Sequence, residues 1–321
     1  MKKFLIKLLI FLLPFIVLAY PLDWLLSKTL EQSHMQADDI AIIKNIKEGQ
    51  IDAEVYVYGS SRAWVHFDPA IMQDSLNRKV YNFGVDGHNF WLQYQRHEQL
   101  LKYNPKPKAI ILSVDVFSLQ RREDLFQMEQ FLPFMYGDMA LYNYLKVYKG
   151  YSFYDFVVPL WRYIGKPDTY KELIQIWKGQ ANEALRQRGF KANEMAWTDD
   201  LAKARLTNAT YTAKIDTPSI ALFEQFIQEC KAENIELYLV YSPEHIDGQA
   251  YIANRQDMKN ILEGFVQQYK LPYLDYTHDA ICSDTTYFYN SMHLNGQGAR
   301  LFTKQLMHDM KTKFPHLVKN N

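Results

Sequence analysis

The chain has no excess of charge of either sign. Its 321 residues carry 36 Lys plus Arg against 36 Asp plus Glu. No basic surplus exists to track a phosphate backbone, which argues against a nucleic-acid partner. Cysteine is scarce: two residues, Cys230 and Cys282, are too few for a disulfide framework. A single bridge stays open in an oxidising compartment, but Cys230 falls on an expected helix and Cys282 in a loop, and two partly buried free thiols are favoured. Metal-ligand spacing is missing as well. His66, His88, His97, His245 and His278 are scattered, so they read as surface or local hydrogen-bonding residues, and no metal or cofactor is implied. Neither a Gly-x-Gly-x-x-Gly run nor a Gly-Lys-Ser/Thr follows a strand, which removes the common phosphate loops. No internal repeat or low-complexity tract is present.

What is there begins with the first 27 residues. Lys2, Lys3 and Lys7 precede an apolar run from Leu8 to Tyr20 that continues through Pro21 to Leu26. The stretch is long enough to span a bilayer if Lys7 reaches back to the headgroups. Val17-Leu-Ala19 puts a large residue where signal cleavage needs a small one. An uncleaved signal-anchor over residues 1–27 is therefore expected, with the lysines inside and the remainder outside the cytoplasmic membrane. A cleaved export signal is the alternative. Residues 28–50 read as a polar helical stalk.

Beyond the stalk, short β-branched and aromatic runs alternate with helical patterns. Strands are expected at Glu54–Tyr58, Lys79–Phe83, Ala109–Val114, Ile235–Tyr241 and Leu271–Asp275. Helices are expected at Pro69–Asn77, His88–Tyr103, Pro218–Glu233, Gln256–Tyr269 and Gly296–Phe314. This rhythm predicts an α/β fold, a three-layer sandwich around a parallel flavodoxin-like sheet, with the core at 51–115 and 216–321. Residues 116–215 break the rhythm. They are rich in Tyr, Phe and Trp, mostly helical in pattern, and leave a strand's carboxyl end, so they are expected to form a cap-like insertion. Ligands bind at the carboxyl ends of such sheets. Ser61, Gly87 and Asp115 all fall just after strands and should reach one rim.

A serine hydroxyl needs a base, histidine is the usual one, and the developing oxyanion needs fixed donors. Gly59-Ser-Ser61 after the first strand, Gly87 after the second, Asp115 after the third and His293 before the last helix meet that pattern. In these positions the chain resembles the SGNH (GDSL-like) hydrolase superfamily. The resemblance implies Ser61 as nucleophile, Gly87 as backbone donor and Asp115 where the family has an oxyanion-binding asparagine. Asn290-Ser-Met-His293 stands in place of Asp-x-x-His. The His293-Leu-Asn295 sequel, the anchor and the large insertion are similar to an exported, membrane-anchored branch that modifies polysaccharides or teichoic acids beside a membrane-bound O-acyltransferase. That implies transfer or hydrolysis of a small acyl ester, acetyl foremost, on an extracytoplasmic polysaccharide.

Two residues depart from the family. Asn290 can hold a histidine ring but brings no negative charge, with Asp284 as a substitute acid from the same loop. An ionised Asp115 accepts only, so it would be protonated or turned away, with Arg62 as one partner. A catalytically degenerate glycan-binding or adaptor protein is the alternative function. Locally, the serines can also be read as a tight turn after a strand, and His293 as a helix cap.

Overall fold

The computed structural model describes residues 1–87 and 90–319, and the side chain at position 9 is left aside. It divides into two compact units. One joins Met1–Asn45 to Glu123–Leu185; the other joins Ile46–Arg122 to the chain from Arg186 onward. The aromatic-rich stretch is thus shared, its middle in the first unit and its ends in the second.

The second unit is the expected α/β sandwich. Strands β1 (Val55–Tyr58), β2 (Val80–Asn82), β3 (Ala109–Ser113), β4 (Glu236–Tyr241) and β5 (Tyr273–Asp275) form one sheet in the order β2-β1-β3-β4-β5. Every neighbouring pair is parallel. Strands covered on both faces need no polar side, which is why β1 and β3 are buried at every residue. Alternation still sorts the faces. Val55, Val57, Ala109, Ile111 and Val240 pack with Phe302, Leu306 and Met310 of the Gly296–Lys313 helix. On the opposite face, Tyr56 and Tyr58 meet Phe83 and Phe226, and Phe226 meets Phe90.

The chain after β5 holds a feature that length-based reading passes over. Phe288–Asn290 (β6) and His293–Leu294 (β7) form an antiparallel pair with Asn290 opposite His293. The histidine is therefore held by a hairpin before its helix begins. Both cysteines are buried and unbridged.

In the first unit the N-terminal helix runs from Lys2 to Leu30, passing Pro14 and Pro21. The 28–50 stretch, read as a polar helical stalk, holds the end of this helix and the start of another. Gln36, Ala37 and Asp38 all take positive φ, and a second helix covers Asp39–Lys47. Ile40, Ile42 and Ile43 on that helix are buried, so the segment is less polar in its role than in its composition. The insertion supplies short helices at Met139–Leu145, Tyr154–Val157 and Pro167–Trp177.

Candidate active site

The site is built from the end of β1. Gly59 has φ +142, and a Cβ there would lie 2.8 Å from the Ser113 carbonyl oxygen, so only glycine fits. The chain then turns at Ser60 and enters the short Ser61–His66 helix. The Ser60 hydroxyl donates to Asp115 Oδ2 at 2.9 Å and accepts from Arg62 N at 3.3 Å. The loop after β2 runs flush against this helix. Asn82 Nδ2 donates to the carbonyls of Ala63 and Phe67 at 2.8 and 2.9 Å, while its Oδ1 accepts from Gly84 N at 2.9 Å. A Cβ on Gly84 would meet Trp64 N at 2.4 Å, so the approach needs that glycine.

Ser61 and His293, 232 residues apart, meet here: Ser61 Oγ lies 2.7 Å from His293 Nε2. His293 Nδ1 lies 2.9 Å from Asn290 Oδ1. That same oxygen accepts the backbone N–H groups of Met292 and His293, both at 3.0 Å. Two amide donors fix the orientation of the Asn290 side chain, so its oxygen faces the ring and Nδ1 carries the proton. Nε2 is then a bare acceptor, and the Ser61 hydroxyl donates to it. Asn290 thus selects the tautomer a general base requires. It does not supply the charge an imidazolium would need.

The electrostatics agree with a neutral ring. Burial pushes His293 down to about 3, and the positive charge of Arg62 acts in the same direction. Tyr289 stacks on the ring at 5.3 Å and 11°. Burial raises the Tyr289 hydroxyl, and the Asp86 carboxylate adds to this. Gly87 takes φ +57.

Asp115 and Arg62 are both buried and occupied. Besides Ser60, Asp115 Oδ1 accepts from Phe117 N at 2.8 Å, closing the turn after β3. Arg62 Nη2 donates to the carbonyls of Ser242 and Pro243 at 2.5 and 3.1 Å, and its Nη1 pairs with buried Glu244 at 3.4 Å. Asp284 is taken up in its own turn, accepting from Thr286 N at 2.9 Å. The residue that meets the second ring nitrogen of His293 is Asn290.

Several contributors carry no local sequence signal. His66, read as a surface or local hydrogen-bonding residue, is buried and hydrogen-bonded: its Nε2 accepts from Leu294 N at 2.9 Å, and its Nδ1 therefore donates to Ser242 Oγ at 2.9 Å. It braces β7 from below. His97 is also buried, 3.2 Å from the Tyr58 hydroxyl, and His245 is buried against Trp197. His278 is exposed, and His88 lies outside the described residues. Among the described residues no cluster of three or more His, Cys, Asp or Glu has the spacing to hold a metal.

Burial lowers His66 well below the usual histidine value and lowers His97 to about 4. The folded chain keeps both neutral while the unfolded chain protonates them below about 6.5. Stability is thus expected to fall as pH drops through 6.5 toward 4, by up to ~1.4 kcal/mol per pH unit for each. Urea unfolding of the full chain in detergent at pH 7 and pH 5 measures it, and an unchanged midpoint would contradict the buried neutral rings.

No family model and no curated protein matches the sequence. Solved structures of similar shape include a GDSL-like lipase from Bacteroides thetaiotaomicron, 10% identical with a TM-score of 0.41, covering 85% of this chain and 98% of that one. Another is an acetyl xylan esterase, 11% identical with a TM-score of 0.40, covering 81% of this chain and 99% of that one. Overlap of that degree carries nothing on activity or substrate. The functional reading stands on this chain's own geometry.

Proposed function

We propose that the protein is an SGNH-like serine enzyme, anchored by its N-terminal helix and facing outward, that hydrolyses or transfers a small acyl group on an extracytoplasmic polysaccharide. The observation that carries the chemistry is the 2.7 Å contact between Ser61 Oγ and a bare His293 Nε2, at the carboxyl end of a parallel sheet. In the reaction, Ser61 Oγ attacks the ester carbonyl as its proton passes to Nε2. The backbone N–H groups of Ser61 and Gly87 hold the oxyanion. His293 returns the proton to the departing alcohol, leaving an acyl-serine. Water or an acceptor hydroxyl, deprotonated by His293, then takes the acyl group. The acetyl group, the polysaccharide and a membrane-bound O-acyltransferase partner come from the family resemblance of the motifs. The outward orientation comes from the lysines ahead of the apolar run.

Incubation of the folded protein with a fluorophosphonate probe is the direct test. Covalent labelling at Ser61, lost on Ser61→Ala and slowed by an acetyl ester competitor, is the expected result. An unlabelled Ser61 in folded protein would remove the catalytic claim.

A second reading, a retired enzyme that binds glycan, draws on Asn290: an imidazolium without a carboxylate is poorly stabilised in the low-dielectric surroundings that push His293 down to about 3.

A further inference from the structure

The first unit presents an apolar surface that a water-facing domain would hide. Its Pro167–Trp177 helix buries Leu173 and Glu172 together and leaves three large apolar side chains outside. Glu172 is buried, accepting from Ser33 Oγ at 2.6 Å and Asn182 Nδ2 at 3.0 Å. Tyr170, Ile174 and Trp177, at i, i+4 and i+7, form an exposed stripe. An ordinary surface helix keeps such an apolar stripe inside. Trp177 is 56% exposed, yet its indole N–H is fixed to Thr29 Oγ1 at 3.0 Å, on the last turn of the N-terminal helix.

A second group of exposed rings begins on that helix itself. Tyr20 meets Tyr136 edge-on at 6.2 Å, and Tyr154 meets Trp161 at 5.5 Å. Tyr154 and Trp161 are 57% and 45% exposed. A buried ion pair ties the groups to the helix. Arg162 binds Asp23 through two parallel contacts of 2.7 Å, and Leu160 N donates to the same carboxylate at 2.6 Å. The main apolar run, from Leu8 to Tyr20, reaches this level of the helix just before Asp23. From Lys2 to Tyr20 an α-helix rises about 27 Å, close to the ~30 Å of a hydrocarbon core. Tyr and Trp just past that depth are the residues that favour the membrane–water boundary, where a ring is apolar and its polar tip is wet.

We propose that the first unit is a membrane-seated platform: the Tyr154–Trp161 rings and the Tyr170/Ile174/Trp177 stripe lie in the headgroup region of the bilayer that the N-terminal helix spans. The surface is continuous with an uncovered apolar helix, 29 residues long, that the same unit grips by its far end. The proposal rests on the anchor reading above, and the test separates the two. Because both native cysteines are buried, single introduced cysteines take a nitroxide label selectively. Full-length Phe11→Cys, Trp161→Cys, Ile174→Cys and Lys304→Cys proteins, labelled and placed in nanodiscs of phosphatidylcholine and phosphatidylglycerol, are compared for collision with oxygen, which concentrates in lipid, and with a water-soluble nickel chelate. Oxygen-to-nickel ratios at 161 and 174 severalfold above that at 304, and approaching that at 11, are expected. Ratios at 161 and 174 equal to 304, with 11 still lipid-like, overturn the platform and leave the anchor. A water-like ratio at 11 overturns both. Labels at 161 and 174 shielded from both reagents also overturn it, by showing a protein cover such as a second copy.

Discussion

Asn290→Asp is expected to raise kcat/KM on a chromogenic acetyl ester by about 10²- to 10³-fold. The bound is set by serine proteases, where the reverse change costs about 10⁴-fold, much of it through the wrong histidine tautomer. Here the tautomer is already correct, because Asn290 Oδ1 is pinned by two backbone N–H groups and faces Nδ1 at 2.9 Å. A carboxylate oxygen accepts the same two donors, so the hairpin turn is kept and the negative charge is what changes. The pH profile supplies a second readout with a definite sign. In the native chain His293 is held at about 3, so the base is neutral throughout and the rate should show no acid limb between pH 8 and 5. The Asp variant raises the histidine toward its ordinary range, and protonation of Nε2 should then cut the rate below about pH 6.5. Ser61→Ala in either background should return turnover to the buffer rate. A variant that gains nothing from a zero baseline would favour the glycan-binding reading.

Arg162→Met is expected to loosen the first unit by about 3–5 kcal/mol, because it leaves the Asp23 carboxylate buried without its bidentate partner. Few domains hold much more than ~5–15 kcal/mol in total. Limited proteolysis of the full chain in detergent should then cut within residues 123–185, where the native protein is expected to resist. The double variant Asp23→Leu/Arg162→Met should regain most of that resistance, since two apolar side chains of similar length replace both charges together. Equal protease sensitivity of the native and single-variant chains would mean that the pair does not hold the unit.

The sheet was legible because its signal is local. Val55–Tyr58 and Ala109–Ser113 are unbroken apolar runs, which is what strands covered on both faces require. Ser61 and His293 could be paired from the sequence because each sits where a strand ends or a helix begins. What the sequence left open depends on contacts between distant residues. Asn290 stood out as a missing acid, but its two backbone donors depend on a hairpin of three and two residues, too short to leave a pattern. His66 and His97 read as surface or local hydrogen-bonding residues, because burial of a polar ring is decided by partners far along the chain, Ser242 and Leu294 for His66 and Tyr58 for His97. The first unit was the least readable. Its aromatic content was plain, but the tie between Asp23 and Arg162 spans 139 residues and follows no period.

The 232 residues between Ser61 and His293 also set a clock. At roughly 5–20 residues per second, the ribosome makes the serine about 10–50 s before it makes its base. The β6–β7 hairpin and the last helix both wait on the same C-terminal stretch. On the proposed reading, the nascent chain carries its nucleophile without a base throughout that interval. The Ser61–His293 contact forms only when the final fifth of the chain has folded against the first.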